Sequence, residues 1–279
     1  GRASVNLNHT AGEAGLASAC RQADLAAVLT SRAFLEKARI ALPAGVAPVW
    51  IEDVLAANGG LRARLGAFLA GMLLPAPLLE RFCGAERTVR GGDLATVIFS
   101  SGSTGEPKGV MLTHAAVGSN VEACAQAFRL QDDDRILGVL PLFHSFGYTG
   151  TLWLAAGRGL AAVYHPNPFD AEAVGELVAR HRATFLLATP TLLQLYLRRV
   201  APAQFGSLRL VLTGAERLAP RLGEAFEDRF GIRPLEGYGA TECAPVIATS
   251  FPDFRAPGVF QPGSRPGSVG QPIPGVAVR

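Results

Sequence analysis

Between residues 95 and 236, short apolar runs alternate with helical stretches, and this alternation limits the chain to few folds. Runs at 95–100, 135–140, 160–164, 184–188 and 208–213 are rich in apolar residues, and 233–236 is expected as the next strand. Helical patterns fill the intervals at 114–128, 148–156, 170–181 and 191–199, with a further one opened by Pro220 and closed by Gly231. Strands joined by helical crossovers of about 10–15 residues pair in parallel, and near-continuous apolar strands are covered on both faces. The expectation is an α/β fold of doubly wound parallel sheets with helices on both faces.

The flanks read differently. Thr10 and Glu13 have capping-box spacing, which predicts a helix to about residue 23. Short strands are expected at 26–30 and 49–51, and a helical, arginine-flanked apolar segment followed by a polar linker at 62–89. From 251 to 275, Pro and Gly recur every few residues, which predicts loops and short strands. The organisation expected is one large domain over 1–250, in two coupled α/β subdomains split near 90–100, with 251–279 opening a β-rich subdomain.

Composition removes several function classes. The chain is 49% hydrophobic and 18% charged, so it can build a sizeable core. Its net charge of +3 is modest and no basic block stands out, so no nucleic-acid partner is expected. Cys20, Cys83, Cys124 and Cys243 form neither CxxC pairs nor Cys–His sets, which suits a reducing cytoplasm better than zinc or disulfides. Residues 65–79 are too few for a membrane span and include Pro75 and Pro77. A core helix is the preferred reading there, with peripheral contact at the inner membrane's cytoplasmic face as the alternative. Residues 136–157 are long enough to span, but Pro141, His144, Ser145 and four glycines favour strand, loop and buried helix.

The densest chemistry lies at 97–109. A strand-like run ends in Ser100, Ser101, Gly102, Ser103, Thr104 and Gly105, followed by Glu106, Pro107 and Lys108. Glycines let main-chain N–H groups approach an anion, hydroxyls add donors, and a lysine adds a point charge suited to phosphate. A flexible surface turn would share the Gly and Ser content. It would not need a lysine in a chain with only two, Lys37 and Lys108, among 26 basic residues. Three other motifs fail: Gly109 follows Lys108 where a Walker A loop has Ser or Thr, Ser101 precedes Ser103 by two where a nucleophile elbow has Gly, and Glu242 replaces the third Gly of a dinucleotide fingerprint begun by Gly237 and Gly239.

The run from Ser100 to Gly109 resembles the signature loop of the adenylate-forming superfamily, which comprises acyl-CoA synthetases, firefly luciferase and peptide-synthetase adenylation domains. Three more segments match in the family's order: 141–147 around His144, Gly214-Ala215-Glu216, and 236–242 from Glu236 to Glu242. Segments 140–147 and 235–245, together with residues 6–37, are most similar to bacterial acyl–acyl carrier protein synthetases. In that group the ligase is often fused to a 2-acylglycerophosphoethanolamine acyltransferase.

The resemblance implies roles. Ser100, Ser101, Gly102, Ser103, Thr104, Gly105 and Lys108 would hold the phosphates of ATP, with Thr241 near the α-phosphate. Glu242 and Thr104 would hold Mg²⁺, which prefers hard oxygen ligands. Tyr238 would stack on adenine beside Gly214, Ala215, Glu216 and Glu236, while Gly237 and Gly239 leave room for the acyl chain. His144 would face the reacting carboxylate or close the thiol tunnel, and Lys108, His144, Thr241 and Glu242 form the expected catalytic set. Because the loop at 100–109 and the 241–242 pair would serve one triphosphate, they are expected to face one cleft.

The implied activity is ATP-dependent conversion of a fatty acid to acyl-AMP and its transfer to acyl carrier protein or CoA. The alternatives are a ligase for a non-fatty acid and a non-catalytic nucleotide-binding module. The family's ribose-binding Asp and C-terminal catalytic-lysine domain have no counterpart in these residues, nor do about the first 90 residues of a usual ligase. The 279-residue chain alone is therefore expected to be inactive.

Overall fold

The computed structural model describes residues 3–84, 89–100 and 106–279. They fall into two units, Gly1–His114 and Ala115–Arg279.

In the first unit, β1 (Ser4–Asn6) leads to α1 (Gly12–Gln22), then β2 (Ala27–Thr30), α2 (Arg32–Ala38), β3 (Ala47–Trp50), α3 (Ile51–Asn58), α4 (Leu61–Leu73) and α5 (Ala76–Phe82). β4 (Leu94–Ser100) and β5 (Lys108–Thr113) complete it. β1 pairs in parallel with β4, β4 pairs antiparallel with β5, and β2 and β3 form a separate parallel pair. Ala19 of α1 packs on Val97 and Phe99 of β4, which builds a small core on one sheet face.

Three expectations change here. The segment after the glycine-rich loop is β5, an antiparallel partner of β4, where a direct entry to a helix and further parallel sheet was expected. The Lys-Gly-Val-Met-Leu-Thr run alternates weakly, and only cross-strand pairing makes it a strand. The Thr10 hydroxyl does not cap α1; it donates to Asn8 Oδ1 at 2.7 Å, and Ala11 is the N-cap. Finally, α4 and α5 are not core helices: neither has a buried residue, and Phe68 is 62% exposed. Apolar residues surround α4 on most sides, so no single stripe directs it onto a core. No helix among the described residues is long and apolar enough to cross a membrane.

The second unit takes in α6 (His114–Ala127), β6 (Arg135–Gly138), α7 (Ser145–Gly147), a π-helical turn (Tyr148–Trp153) and α8 (Leu154–Arg158). There follow β7 (Ala161–Tyr164), α9 (Ala171–His181), β8 (Phe185–Ala188), α10 (Pro190–Arg199), β9 (Leu210–Thr213), α11 (Pro220–Phe230) and β10 (Leu235–Gly239). Next come β11 (Val246–Thr249), the hairpin β12 (Phe254–Ala256) and β13 (Val259–Gln261), and β14 (Gln271–Pro272). Asp170 caps α9 by accepting from the Ala173 N–H at 3.1 Å, and Pro220 opens α11, both as the sequence predicts.

The sheet order is β14-β11-β10-β9-β8-β6-β7, flanked by helices. The five strands from β6 to β10 are parallel, while β11 and β14 are antiparallel additions. Residues 271–272 thus extend the main sheet. β8 and β9 are buried at every position, which explains their unbroken apolar spelling. Phe226 lies 4.6 Å from Phe230, and Phe230 5.0 Å from Phe205, ring centre to ring centre, joining α11 to the turn before β9.

One end of the sheet is tied by charge. Asp134, Thr184 and Arg209 each precede a strand, β6, β8 and β9 respectively. Asp134 is 2% exposed and accepts from Arg209 Nε at 2.7 Å, Thr184 Oγ1 at 2.6 Å and the Gln131 N–H at 2.7 Å. Arg209 Nη2 adds a second contact to the same carboxylate.

Candidate functional site

The other end of the sheet, at the carboxyl ends of the parallel strands, carries a cleft. β7 lies on one side of β6 and β8 on the other, so the chain reverses its direction of winding at β6. Crevices form beyond the carboxyl ends of strands at such a switch. The cleft has a volume of about 370 Å³ and runs from Leu140 and Pro141 after β6, past Thr189 after β8, to residues 212–215 after β9 and 237–241 of β10.

This cleft gathers much of the expected set. His144, Gly214, Ala215, Gly237, Tyr238, Gly239 and Thr241 all line it. Its floor is main chain held close. A Cβ on Gly239 would lie only 2.3 Å from the Pro245 carbonyl, so that position excludes a side chain, and one on Gly214 would lie a tight 3.2 Å from the Gly237 carbonyl. The Tyr238 ring stands 55% exposed at the wall, available for a planar partner. The His144 ring lies 4.6 Å from that of Phe143, centre to centre. Partial burial of that imidazole lowers its pKa, which favours the neutral form.

Other candidates are placed elsewhere. Glu236 is buried and turned away from the cleft; its Oε1 accepts from the Leu218 N–H at 3.0 Å, holding the turn that follows Gly214. Glu216 is exposed and accepts from Thr191 Oγ1 at 2.7 Å. Glu242 is exposed beside Thr241.

In the first unit, Ser100 and Lys108 face each other across the β4–β5 ladder, one on each stem of the glycine-rich loop. Ser101, Gly102, Ser103, Thr104 and Gly105 lie outside the described residues. The returning stem is anchored to α1. Ser18 Oγ donates to Glu106 Oε2 at 3.1 Å, and Gln22 Nε2 donates to the Pro107 carbonyl at 2.9 Å.

The structure adds residues that sequence reasoning passed over. Ser145 Oγ lies 3.2 Å from Thr241 Oγ1. Thr213 Oγ1 is buried at the cleft and has no hydrogen-bond partner among the described residues. A polar ligand group in the cleft would satisfy it. Thr213 directly precedes the Gly214 motif, a signal that was available; Ser145 becomes visible only when its neighbour 96 residues away is known. Among the described residues no three His, Cys, Asp or Glu side chains form a metal-binding group. Mg²⁺ does not need one, because it keeps several waters and takes one or two carboxylates together with substrate phosphates. An exposed Glu242 beside a hydroxyl fits that requirement.

Known proteins share this chain's fold. The family model described as AMP-binding enzyme matches residues 1–279. A long-chain-fatty-acid–CoA ligase of Bacillus subtilis (strain 168) is 29% identical over 186 residues, covering 65% of this chain and 32% of the relative. A 4-coumarate–CoA ligase 3 of Arabidopsis thaliana is 35% identical over 183 residues, covering 63% and 32%. Among solved structures, the O-succinylbenzoate coenzyme A synthetase of Bacillus subtilis with ATP and magnesium ion aligns over 97% of this chain and 50% of its own. Its TM-score is 0.74 at 23% identity, a likeness of fold. A malonyl-CoA ligase with methylmalonyl-CoA and AMP bound aligns over 98% and 52%, with a TM-score of 0.72 at 25% identity. The chain thus spans 32% of these curated relatives' length and about half of these solved structures.

Proposed function

The chain belongs to the family of AMP-binding enzymes, and from that premise we propose that the protein carrying it activates a carboxylate with ATP and passes the acyl group to a thiol. One observation carries the reading: the cleft beyond the parallel strands collects the 214–215 and 237–241 segments with His144 around one open volume.

In the first step a carboxylate oxygen attacks the α-phosphorus, an acyl–phosphate bond forms, and pyrophosphate leaves. In the second, a thiol attacks the acyl carbon, the thioester forms, and AMP leaves. Carboxylates are poor electrophiles, so the first step supplies the leaving group for the second. The protein's contribution is positioning and charge. Gly214 and Ala215 present main chain to the adenine and Tyr238 stacks on it. Thr241 contacts the α-phosphate, while Lys108 and the loop hydroxyls from Ser100 to Thr104 hold the phosphates. His144, neutral, borders the reacting carboxylate. Glu242 and Thr104 would hold Mg²⁺, which neutralises phosphate charge when bound.

CoA is the acceptor that the relatives' names support, and acyl carrier protein is the finer reading from the sequence resemblance. The relatives act on long-chain fatty acids, 4-coumarate and malonate-type acids by name, so a fatty acid is one member of the class to be tested. The test gives the protein ATP, Mg²⁺ and a panel of fatty, aryl and dicarboxylic acids. Pyrophosphate and AMP are measured, then thioester with CoA or acyl carrier protein. Acid-dependent pyrophosphate release is the expected result. Nucleotide binding without turnover on any acid would sink the proposal in favour of a binding module.

A further inference from the structure

The turn that carries Thr241 and Glu242 is held from behind by a side chain that no motif contains. Asn120 of α6 is 6% exposed. Its Nδ2 donates to the Val246 carbonyl at 2.8 Å and to the Cys243 carbonyl at 3.2 Å. Its Oδ1 accepts from the Val246 N–H at 3.3 Å and from the Cys124 thiol at 3.8 Å. One primary amide thus engages both main-chain groups of Val246, as a neighbouring strand would, and one more carbonyl of the turn.

The turn needs that support. Residues 240–245 connect β10 to β11, an antiparallel pair whose register shifts between Tyr238 and Gly239. Within the turn Ala244 has φ 67°, a left-handed conformation that costs a non-glycine residue energy. The internal main-chain bonds are few: Ala240 N–H to Pro245 O at 2.9 Å, Cys243 N–H to Ala240 O at 2.9 Å and Ala244 N–H to Thr241 O at 3.2 Å. None of these fixes the turn against a helix; Asn120 does.

We propose that Asn120 is a positioning residue, which sets the 241–246 turn and through it the Thr241 hydroxyl and the Glu242 carboxylate. The positional half stands on the contacts alone. The functional half rests on the adenylation reading above.

The Cys243 and Ala244 N–H groups are hydrogen-bonded inside the turn, to the Ala240 and Thr241 carbonyls, so the rate of their deuterium labelling reports how often the turn opens. Asn120→Ala and Asn120→Asp should each raise that rate about tenfold under native conditions, as expected for loss of local protection. Asp keeps the size and an acceptor but removes both donors and places a carboxyl in a buried site, so general destabilisation has to be separated from loss of the bonds to the turn. Val178→Ala, a core truncation in α9, serves as the control for general destabilisation. Wild-type labelling in Asn120→Asp, or equal acceleration in Val178→Ala, overturns the positional half.

The functional readout is pyrophosphate release by the protein carrying the chain. Asn120→Asp should raise the Mg²⁺ concentration for half-maximal rate several-fold, with KM for the carboxylate held within about twofold. Faster labelling with unchanged Mg²⁺ dependence overturns the functional half. Absence of acid-dependent release from the wild type overturns the adenylation reading instead, and leaves the labelling result standing.

Discussion

The hydroxyl of Ser145 lies 3.2 Å from that of Thr241, joining the start of α7 to the turn after β10 across 96 residues of chain. Ser145 is buried, so the bond is shielded from water. Ser145→Ala should lower kcat/KM for acyl-adenylate formation about tenfold, the scale of one neutral hydrogen bond. Carboxylate-dependent ATP–pyrophosphate exchange measures this, and wild-type exchange in the variant would remove Ser145 from the site.

Glu242 is the exposed carboxylate next to that hydroxyl. Glu242→Gln keeps the shape and removes the charge. If it ligates the ion that neutralises phosphate, adenylation should slow about 10²-fold and the Mg²⁺ requirement should rise. Unchanged kinetics across a Mg²⁺ titration would exclude the metal role.

Asp134 makes a stability prediction that does not depend on function. Burial raises its pKa, but bonds from Arg209, the Gln131 main chain and Thr184 outweigh burial, and the net shift is downward. A carboxyl held below its unfolded value stabilises the fold above that value, about 3.9, and the benefit disappears as pH falls through the lower folded pKa. Asp134→Asn should cost about 3 kcal/mol at pH 7, because it leaves Arg209 without its partner. The gap between variant and wild type should narrow in acid. Urea unfolding at several pH values tests both points, and a gap that stays constant with pH would refute the charge argument.

His144 also has a lowered folded pKa, but from desolvation of its charged form and not from bonds to it. Desolvation lowers its folded pKa, so the unfolded chain takes up the proton more readily and stability falls as pH drops through about 6.5. The His144 ring signals should show an NMR midpoint below 6.5, the ordinary value. His144→Gln should be less sensitive to that pH range. A midpoint at or above the ordinary value would contradict the burial argument.

The gathering at the cleft shows what could be read and what could not. His144, Gly214, Tyr238 and Thr241 were named from spelling, and the fold brings them to one volume. Glu236 and Glu216 were named by adjacency in the same motifs, yet they bond to Leu218 N–H and Thr191 Oγ1. Spelling does not show which way a side chain turns: Glu236 on β10 turns away from the cleft, and Glu216, beyond the end of β9, bonds to a helix residue. Lys108 was read as a loop residue, but it opens a strand opposite Ser100.

The alternation of apolar runs and helical stretches determined, without coordinates, the five parallel strands from β6 to β10, because strand-period and helix-period patterns are local and strong. The motif segments likewise identified the family's chemistry, since glycine, hydroxyl and carboxylate at set spacing are local facts. Only tertiary structure decided that β5 and β11 are strands and that β14 joins the main sheet, because pairing with a neighbour is what makes a weakly patterned run extended. Asn120, Ser145, Gln22 and Asp134 became significant for the same reason: each acts through a hydrogen bond to a residue distant in sequence. Such a bond leaves no period and no spelling in the chain, and exists only when folding brings its two partners together.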